Sequence, residues 1–562
     1  MGQRSTGRSR ARCALALAGA LAAMVASAQV PPDAGRIQEQ LRSPELPKQP
    51  AAPQIRIEPA PGEAKADTPA FYVASFRVSG ATVFPEQRLV ALLGEPRRPM
   101  RLAEVQALAD RITELYRSQG YIVARALIPA QDVRDGIVEV RVVEGRYERI
   151  DISNASDLSE RRLRGLLGDV REDAVVHGPT LERAVLLIAD LAGVQPKATL
   201  EAGTQPGFTN LILELVPTPS AQYDLTVDNA GSRYTGRNRL SAGVTLNSPL
   251  GIGDRLSARA VTSGANLNSV QVSYDAPLGY SSVRGGAYAT DTTYKLGDQF
   301  TTLDASGSAR SYGAMVVYPA LRSAELNLRA QAAAERRELV DRIGAFGTTN
   351  DKTMTLVRWG GSGDTRDDLL AGGLTAFQAL LTQGTLALHS PDFAASDAAT
   401  ARTQGDFRKL SLAANRLQGL TERLRLIVTY TGQLARDNLD SSEKFSVGGI
   451  TGVRAYPPGE AAGDDVHLLQ AELRYSAGNW RGGRVTPSLF ADHAHSRINH
   501  QLWEGFNGKN VRRLSDFGVG MEWAIPGAWF VRGWYAHKLG GEPATAERDK
   551  AARLWLQAGV LF

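Results

Sequence analysis

Few residues of this chain have types and spacings that could support catalysis or bind a metal. His493 and His495 stand two positions apart, but no third ligand with suitable spacing is evident, and such a pair more often lines a polar face. The sequence contains no phosphate-binding glycine loop, no Gly-x-Ser-x-Gly elbow and no His-Glu-x-x-His zinc motif. Because acidic residues are scattered at ordinary density, no carboxylate pair stands out as catalytic. We therefore predict that the protein is not an enzyme and that it uses no cofactor and no metal.

The most distinctive short motif is a basic tetrapeptide in the C-terminal half. It consists of Val453-Arg454-Ala455-Tyr456, followed by Pro457-Pro458-Gly459-Glu460. Proline and glycine in this arrangement are typical of a surface turn, and the tetrapeptide taken alone favours that interpretation. Its meaning therefore depends on the architecture in which it lies.

The last ten residues, Arg553 to Phe562, alternate strictly between two faces. Every second residue is apolar, and the last of them is aromatic: Leu554, Leu556, Ala558, Val560 and Phe562. A strand of this kind is the sorting-signal pattern of an outer-membrane barrel, where one face meets lipid and the other meets the lumen. We therefore predict that Phe562 belongs to a sorting signal that the barrel assembly machinery recognises.

The first 28 residues have the features of a secretory signal peptide. Four arginines precede an apolar run from Cys13 to Val25 and a small-residue cleavage site at Ala26-Ser27-Ala28. The run is too short to span a bilayer, and nowhere else do about 20 apolar residues occur consecutively, so a membrane protein of this sequence must be a barrel. Removal of these arginines lowers the formal net charge from +5 to near +1, which leaves no argument for nucleic acid as a partner.

From residue 219 to residue 562 the apolar pattern has the period of a β-strand. Several runs place aliphatic or aromatic residues at every second position: Leu240, Ala242, Val244, Leu246; Val270, Val272, Tyr274, Ala276; Leu424, Leu426, Val428, Tyr430; Leu469, Ala471, Leu473, Tyr475; Phe517, Val519, Met521, Trp523. At roughly 20 residues per strand and connection, the segment predicts about 16 antiparallel strands. A soluble β-sandwich also alternates but rarely needs so many strands in one domain. The fold class is therefore mainly β, a transmembrane barrel surrounded by outer-membrane lipids.

Two short regions follow the predicted signal peptide. Residues 29–42 contain one helical candidate, Ala34 to Leu41, with Ile37 and Leu41 on one side and polar residues around the rest. So polar a helix suits a wet cavity, and a solvated tail is an equal alternative. Residues 43–70 are rich in proline and predict a linker without continuous helix or sheet.

Residues 71–147 and residues 148–218 predict the same order of elements, namely strand, helix, helix, strand, strand. In the first unit the helices cover 86–93 and 102–119, and Gly120 ends the second of them. A period of about 70 residues indicates an internal repeat. This α+β pattern, with a Gly-Tyr pair after the second helix, resembles the POTRA domain of outer-membrane protein translocation machines.

The complete order, from helix and linker through two POTRA-like units to a 16-stranded barrel, resembles the transporters of two-partner secretion systems. These form the TpsB branch of the Omp85 superfamily and are typified by haemolysin secretion and activation proteins. In that family a Val-Arg-Gly-Tyr loop tip folds into the lumen, and its arginine pairs with an aspartate of a Phe-x-Asp strand motif.

The resemblance implies that Arg454 is the tip arginine and that Asp492, two residues after Phe490, is its acceptor on the barrel wall. A bidentate guanidinium-carboxylate contact suits a loop in a wet lumen, because such a loop has little apolar surface to hold it. Ala455 stands where the family has glycine. We therefore expect either an ordinary backbone conformation or a strained turn at this position.

The resemblance also implies an outer-membrane pore that exports a large TpsA-type exoprotein in extended form. Because the sequence has no nucleotide site, we expect export without nucleotide hydrolysis, and because a closed barrel has no edge that requires a neighbour, we expect a monomer. The POTRA units would lie in the periplasm. We expect them to capture the partner either as an added strand, with Tyr121 to Pro129 and Asn210 to Val216 as candidate sheet edges, or in the groove next to a helix. The helix Ala34 to Leu41 resembles the family's plug helix, which occupies the barrel at rest. Two alternatives stay open here: an Omp85-type assembly factor for other barrels, and a passive porin.

Overall fold

The computed structural model describes residues 32–41, 54–57 and 69–562. The predicted signal peptide and most of the predicted linker lie outside the described residues. Within the described part, no helix has the length and apolar character needed to cross a membrane. The helices are α1 (Ala34–Leu41), α2 (Glu86–Leu93), α3 (Leu102–Ser118), α4 (Glu160–Leu167), α5 (Gly178–Ala189) and α6 (Pro391–Ala399).

The first repeat packs α2 and α3 against small sheets. With β1 (Gln54–Ile57) preceding them, its strands are β2 (Phe71–Val73), β3 (Ser75–Ser79), β4 (Arg98–Met100), β5 (Arg125–Leu127) and β6 (Ile137–Val143). The strand β6 pairs with β3 in parallel and with β5 antiparallel. The apolar stripe of α3 lies in the core of this unit: Val105, Ala109, Ile112 and Tyr116. The predicted order of elements is confirmed with one addition, the short strand β4, which lies between the two helices and pairs with β2.

The second repeat has a four-stranded sheet with the order β1-β8-β9-β7. Its own strands are β7 (Arg146–Asn154), β8 (Val194–Ala202) and β9 (Phe208–Pro217). The prediction that Asn210 to Val216 forms a sheet edge is wrong, because β7 returns beside β9 in parallel and leaves β9 between two neighbours. The other predicted edge, Tyr121 to Pro129, contains β5, which is the outer strand of its sheet.

The rest of the chain forms a closed antiparallel barrel in which β10 pairs with both β11 and the last strand, β26. The short β22 belongs to the turn between β21 and β23, so 16 long strands close the wall, as predicted. The strands are β10 (Ala221–Asp228), β11 (Arg239–Asn247), β12 (Arg255–Thr262), β13 (Leu267–Pro277), β14 (Arg284–Lys295), β15 (Ala305–Arg322), β16 (Leu326–Ile343), β17 (Thr348–Asp367), β18 (Gly373–Leu388), β19 (Gly405–Gly419), β20 (Leu424–Ala435), β21 (Asp465–Tyr475), β22 (Gly478–Trp480), β23 (Gly483–Arg497), β24 (Val511–Ile525), β25 (Trp529–Lys538) and β26 (Ala552–Leu561).

The two faces of the barrel wall differ in the way that the alternation predicts. In β24, Phe517 and Val519 are exposed on the outside, whereas Asp516 is fully buried on the lumenal face. In β26, Leu554 and Leu556 are exposed and Trp555 between them is buried. In these two strands the outward side chains are therefore apolar, and the inward ones include a carboxyl group and an indole N–H.

Phe562 lies at the seam that closes the barrel. Its backbone N–H donates to the carbonyl of Tyr223 at 3.0 Å, and the N–H of Tyr223 donates to the carbonyl of Phe562 at 2.7 Å. The two rings stack with their centroids 5.8 Å apart. The role of Phe562 as a sorting signal stays a prediction.

The second repeat is fixed to the end of the barrel at which β10 begins. The buried guanidinium of Arg322, at the end of β15, donates to both carboxylate oxygens of Asp190 at 3.0 and 2.8 Å. In the following turn, the backbone N–H of Ala324 donates to Glu182 of α5 at 2.7 Å. The second repeat therefore lies directly against the opening of the barrel at this end.

Candidate functional site

A long connection between β20 and β21 folds into the barrel, and we call residues 436–464 the lumenal loop. Since β10 starts beside the second repeat and the strands alternate in direction, this loop leaves from the opposite end of the barrel. Val453, Ala455 and Tyr456 are each fully buried and pack on wall residues such as Phe490 and Leu514. The tetrapeptide is therefore not a surface turn.

Arg454 makes the most directed contact between the loop and the wall. Its Nε and Nη2 donate to the two carboxylate oxygens of Asp492 at 2.9 and 3.0 Å, and its Nη1 donates to Glu472 at 2.8 Å. The guanidinium carbon lies 3.6 Å from the ring centroid of Phe490. Trp555 donates its indole N–H to the Arg454 carbonyl at 2.7 Å. Four barrel residues thus hold one loop residue.

Arg454 stays charged in this setting. Burial by itself lowers the pKa of the guanidinium, but the hydrogen bonds and negative charges of Asp492 and Glu472 outweigh burial and raise the pKa above its ordinary value. A buried charge with bidentate partners is stable only while both sides remain in place. The contact therefore acts as a directed anchor for the loop.

Ala455 adopts an ordinary backbone conformation, since it is not among the residues with positive φ. Its N–H donates to Asp516 of β24 at 2.5 Å, so the carboxylate of Asp516 meets the loop beside that of Asp492. The expectation of an ordinary backbone conformation at this position is therefore confirmed, and the expectation of a strained turn is wrong. The methyl group of Ala455 is buried, and the position does not require the conformational freedom of glycine.

A second set of ion pairs holds the beginning of the lumenal loop on the other side of the barrel. Arg337 of β16 donates to Glu443 at 2.7 Å, and Lys352 of β17 donates to Asp440 at 2.9 Å. Lys409 of β19 lies 2.8 Å from Glu443. These pairs could not be predicted from the sequence, because many lumenal positions carry charge and each charge has several possible partners. The loop therefore bridges the lumen from β16–β19 to β21–β26.

The helix α1, predicted as a plug, lies in the lumen against this first part of the loop. Its first residue, Ala34, donates its N–H to Asp341 of β16 at 2.8 Å, and Gln38 donates to Ser311 of β15 at 2.6 Å. Gly35 approaches the loop so closely that a Cβ on it would stand 2.3 Å from the Cβ of Ser442. The described helix therefore rests on both the wall and the lumenal loop.

The hydroxyl of Ser441 in the loop donates to Asp33, and the other oxygen of Asp33 accepts the N–H of Arg36 at 2.9 Å. Asp33 thus caps the first turn of α1 and ties it to the loop. His493 and His495 lie on the face of β23 opposite to Asp492. Among the described residues, no group of three or more His, Cys, Asp or Glu could hold a metal ion.

Comparisons with known proteins agree with this architecture. Residues 207–506 match the family model described as haemolysin secretion/activation protein ShlB/FhaC/HecB, and residues 71–145 match the ShlB-type POTRA domain. The heme/hemopexin transporter protein HuxB of Haemophilus influenzae is 27% identical over 464 residues, which cover 82% of this chain and 81% of HuxB. The outer membrane transporter CdiB of Escherichia coli is 26% identical over 447 residues, covering 75% of this chain and 72% of CdiB.

Solved structures show the same fold at low sequence identity. CdiB from Escherichia coli superimposes with a TM-score of 0.71 at 20% identity, over 100% of both chains. CdiB from Acinetobacter baumannii gives a TM-score of 0.62 at 15% identity, over 89% of this chain and 91% of CdiB.

The anchor can be tested by removing its acceptor. In Asp492→Ala, Arg454 keeps only Glu472 as a carboxylate partner, and loss of one side of a buried pair costs about 3 kcal/mol. We expect amide hydrogen exchange in residues 450–458 of the detergent-solubilised protein to become roughly a hundredfold faster. Asp224→Ala is the matched control, because Asp224 pairs with the half-exposed Arg259 at the barrel wall. Unchanged exchange in Asp492→Ala would contradict the anchor.

Proposed function

Because the chain belongs to the haemolysin secretion/activation protein family ShlB/FhaC/HecB of the Omp85 superfamily, we propose that it exports a partner protein across the outer membrane. It is an outer-membrane β-barrel, and its POTRA units lie in the periplasm. The observation that supports export most strongly is a lumen filled by two elements of the chain itself, α1 and the lumenal loop. Both elements would have to move for cargo to pass.

The partner is a TpsA-type exoprotein that crosses in extended form. Its first contact is with the POTRA units, where β5 offers an outer strand for pairing. Its passage needs no nucleotide hydrolysis by the transporter, because polar lumen walls do not retain an unfolded chain and folding outside gives the direction. The transporter works as a monomer in outer-membrane lipid and reaches the membrane through the barrel assembly machinery, which reads the C-terminal strand ending at Phe562.

The packing of the lumen separates this proposal from its rivals. A passive porin needs an open channel, whereas α1 and the lumenal loop lie inside this barrel. An assembly factor for other barrels would share the fold, but a helix seated in the lumen has no evident task in it. The domain boundaries 1–28, 29–42, 43–70, 71–147, 148–218 and 219–562 stay predictions.

Deletion of residues 71–147 tests the capture step. We expect the barrel to reach the outer membrane at normal levels while export of the partner exoprotein falls below detection, because the first contact for the extended partner is gone. Export is measured as the amount of exoprotein in the culture medium. Barrel assembly is measured by denaturing electrophoresis of unheated samples, in which an assembled barrel stays folded and gives a separate band. Normal export by the deletion variant would remove capture by this repeat from the mechanism.

Removal of α1 tests the plug. Without residues 30–42 we expect a several-fold larger conductance in planar bilayers, since the polar lumen then contains only the loop. A point variant makes the test sharper: Gly35→Val places side-chain atoms against Ser442 and should unseat the helix with a similar rise. Gly541→Val is the matched control, because a Cβ there meets nothing within 4 Å. A current unchanged in both α1 variants would argue against a plug.

The tip arginine is tested by export. In Arg454→Ala we expect export at least tenfold below that of the wild type with near-normal barrel levels, because the loop loses its contacts to Asp492, Glu472 and Phe490. Arg454→Lys should not restore export, since an ammonium cannot form the bidentate pair. Arg259→Ala, at a half-exposed pair, serves as control. Equal export from Arg454→Ala and wild type would show that export does not depend on the contacts of the tip arginine.

A further inference from the structure

The strand β1 lies far from its neighbours in sequence and completes the sheet of the second repeat. Residues Gln54 to Ile57 pair in parallel with β8, in the register Gln54 with Lys197, Ile55 with Ala198, Arg56 with Thr199 and Ile57 with Leu200. The strand comes from the proline-rich region that joins α1 to the first repeat. A segment expected to be a plain linker therefore occupies a sheet edge.

Without β1, the outer edge of β8 would be unpaired along its whole length. The strand β8 has nine residues, and β1 covers four of them. Lys197 pairs with Gln54 at one end of the covered stretch, and the uncovered residues are Val194, Gln195 and Pro196 before it and Glu201 and Ala202 after Leu200. The covered stretch includes Ala198 and Leu200, which alternate with the half-buried Thr199. This edge therefore has the length and pattern to accept a strand longer than β1.

We propose that β1 is a placeholder for the exported partner, which displaces it by pairing with β8. This inference rests on the proposed export function and names a second contact of the partner, in the second repeat, which follows its first contact at β5. The incoming segment is extended, runs parallel to β8 and carries aliphatic residues at alternate positions, as Gln54-Ile55-Arg56-Ile57 does. A segment that also pairs with Glu201 and Ala202 makes more main-chain hydrogen bonds than β1, whose pairing stops at Leu200, and can replace it despite the tether.

Displacement of β1 would also change how far α1 can travel. Residues 42–53 connect Leu41 to β1, and a chain of this length cannot reach beyond about 45 Å. Once β1 leaves β8, the next fixed point is β2 at Phe71, and the permitted reach grows to about 100 Å. Capture at β8 would thus lengthen the tether of the plug. Binding in the periplasm and opening of the lumen become one event.

A reversible disulfide between β1 and β8 tests this coupling. The only cysteine, Cys13, lies in the predicted signal peptide, so the pair Arg56→Cys with Thr199→Cys introduces the only thiols of the mature chain. Directly paired strands stand at a separation that a disulfide can bridge. The matched control is Ser153→Cys with Glu214→Cys, a parallel pair of exposed residues between β7 and β9 that should never separate.

In planar bilayers we expect openings of the oxidised Arg56→Cys/Thr199→Cys protein to be at least tenfold rarer than after reduction. The control pair should open equally often in both states. In the locked protein that also lacks residues 30–42, the current should be large in either redox state, because no plug remains to be tethered. Equal opening frequency of the locked and reduced full-length protein, with the disulfide fully formed, would overturn the strand exchange and leave the export proposal intact.

A peptide gives a second measurement that does not depend on the plug. A fluorescent peptide with the sequence of residues 51–60 is titrated onto the full-length wild type and onto Ile55→Pro/Arg56→Pro, in which adjacent prolines prevent β1 from pairing. We expect the variant to bind at least fivefold more tightly than the wild type, and a scrambled peptide to bind neither. Equal binding to both proteins would contradict the idea that β1 masks the edge. Loss of export on deletion of residues 71–147 is judged separately.

Discussion

The filled lumen depends on ion pairs between the lumenal loop and the barrel wall. A loop of 29 residues, 436–464, could not be held inside a polar cylinder by apolar contact alone. Its first part is tied to one wall by Glu443, and its tip is tied to the opposite wall by Arg454. Buried ionic contacts are directional and lose their stability when one partner is removed. An all-or-none anchor of this kind suits an element that must be either fully docked or fully displaced.

The same physics explains how α1 is seated. The helix buries Ala34 and Ile37 in an apolar cluster with wall residues. Its other contacts are a few hydrogen bonds that involve Asp33, Ala34 and Gln38, together with the close approach of Gly35 to the loop. Each such bond contributes only about 1 kcal/mol. Because the seat of α1 is partly made by the loop, a shift of the loop removes part of the support of the helix.

Much of the architecture could be predicted from the sequence, because alternation with a period of two leaves a clear signal in each strand. The buried Asp516 beside the exposed Phe517 in β24 is the structural counterpart of that signal. The contact of Arg454 with Asp492 came from family resemblance, since spacing alone cannot pair residues 38 positions apart. The pairing of Lys352 with Asp440 escaped prediction, because charges on lumenal positions have many possible partners. The pairing of β1 and the position of β9 between two neighbours could not be predicted. Both depend on tertiary pairing, and neither a four-residue strand nor a single alternating run specifies its partner.

The 16 long strands of the barrel differ greatly in length, from eight residues in β10 to twenty in β17. Only about 9–11 residues are needed to cross the bilayer, so the wall formed by β15 to β18 continues well beyond it. The end of β15 nearest the second repeat is pinned by Arg322, and the excess therefore stands on the cell exterior. The rim is therefore higher on the side of β15 to β18 than on the opposite side. A polypeptide emerging here would find a protein surface along one flank and open water along the other, so the first extracellular folding step would take place in sheltered surroundings.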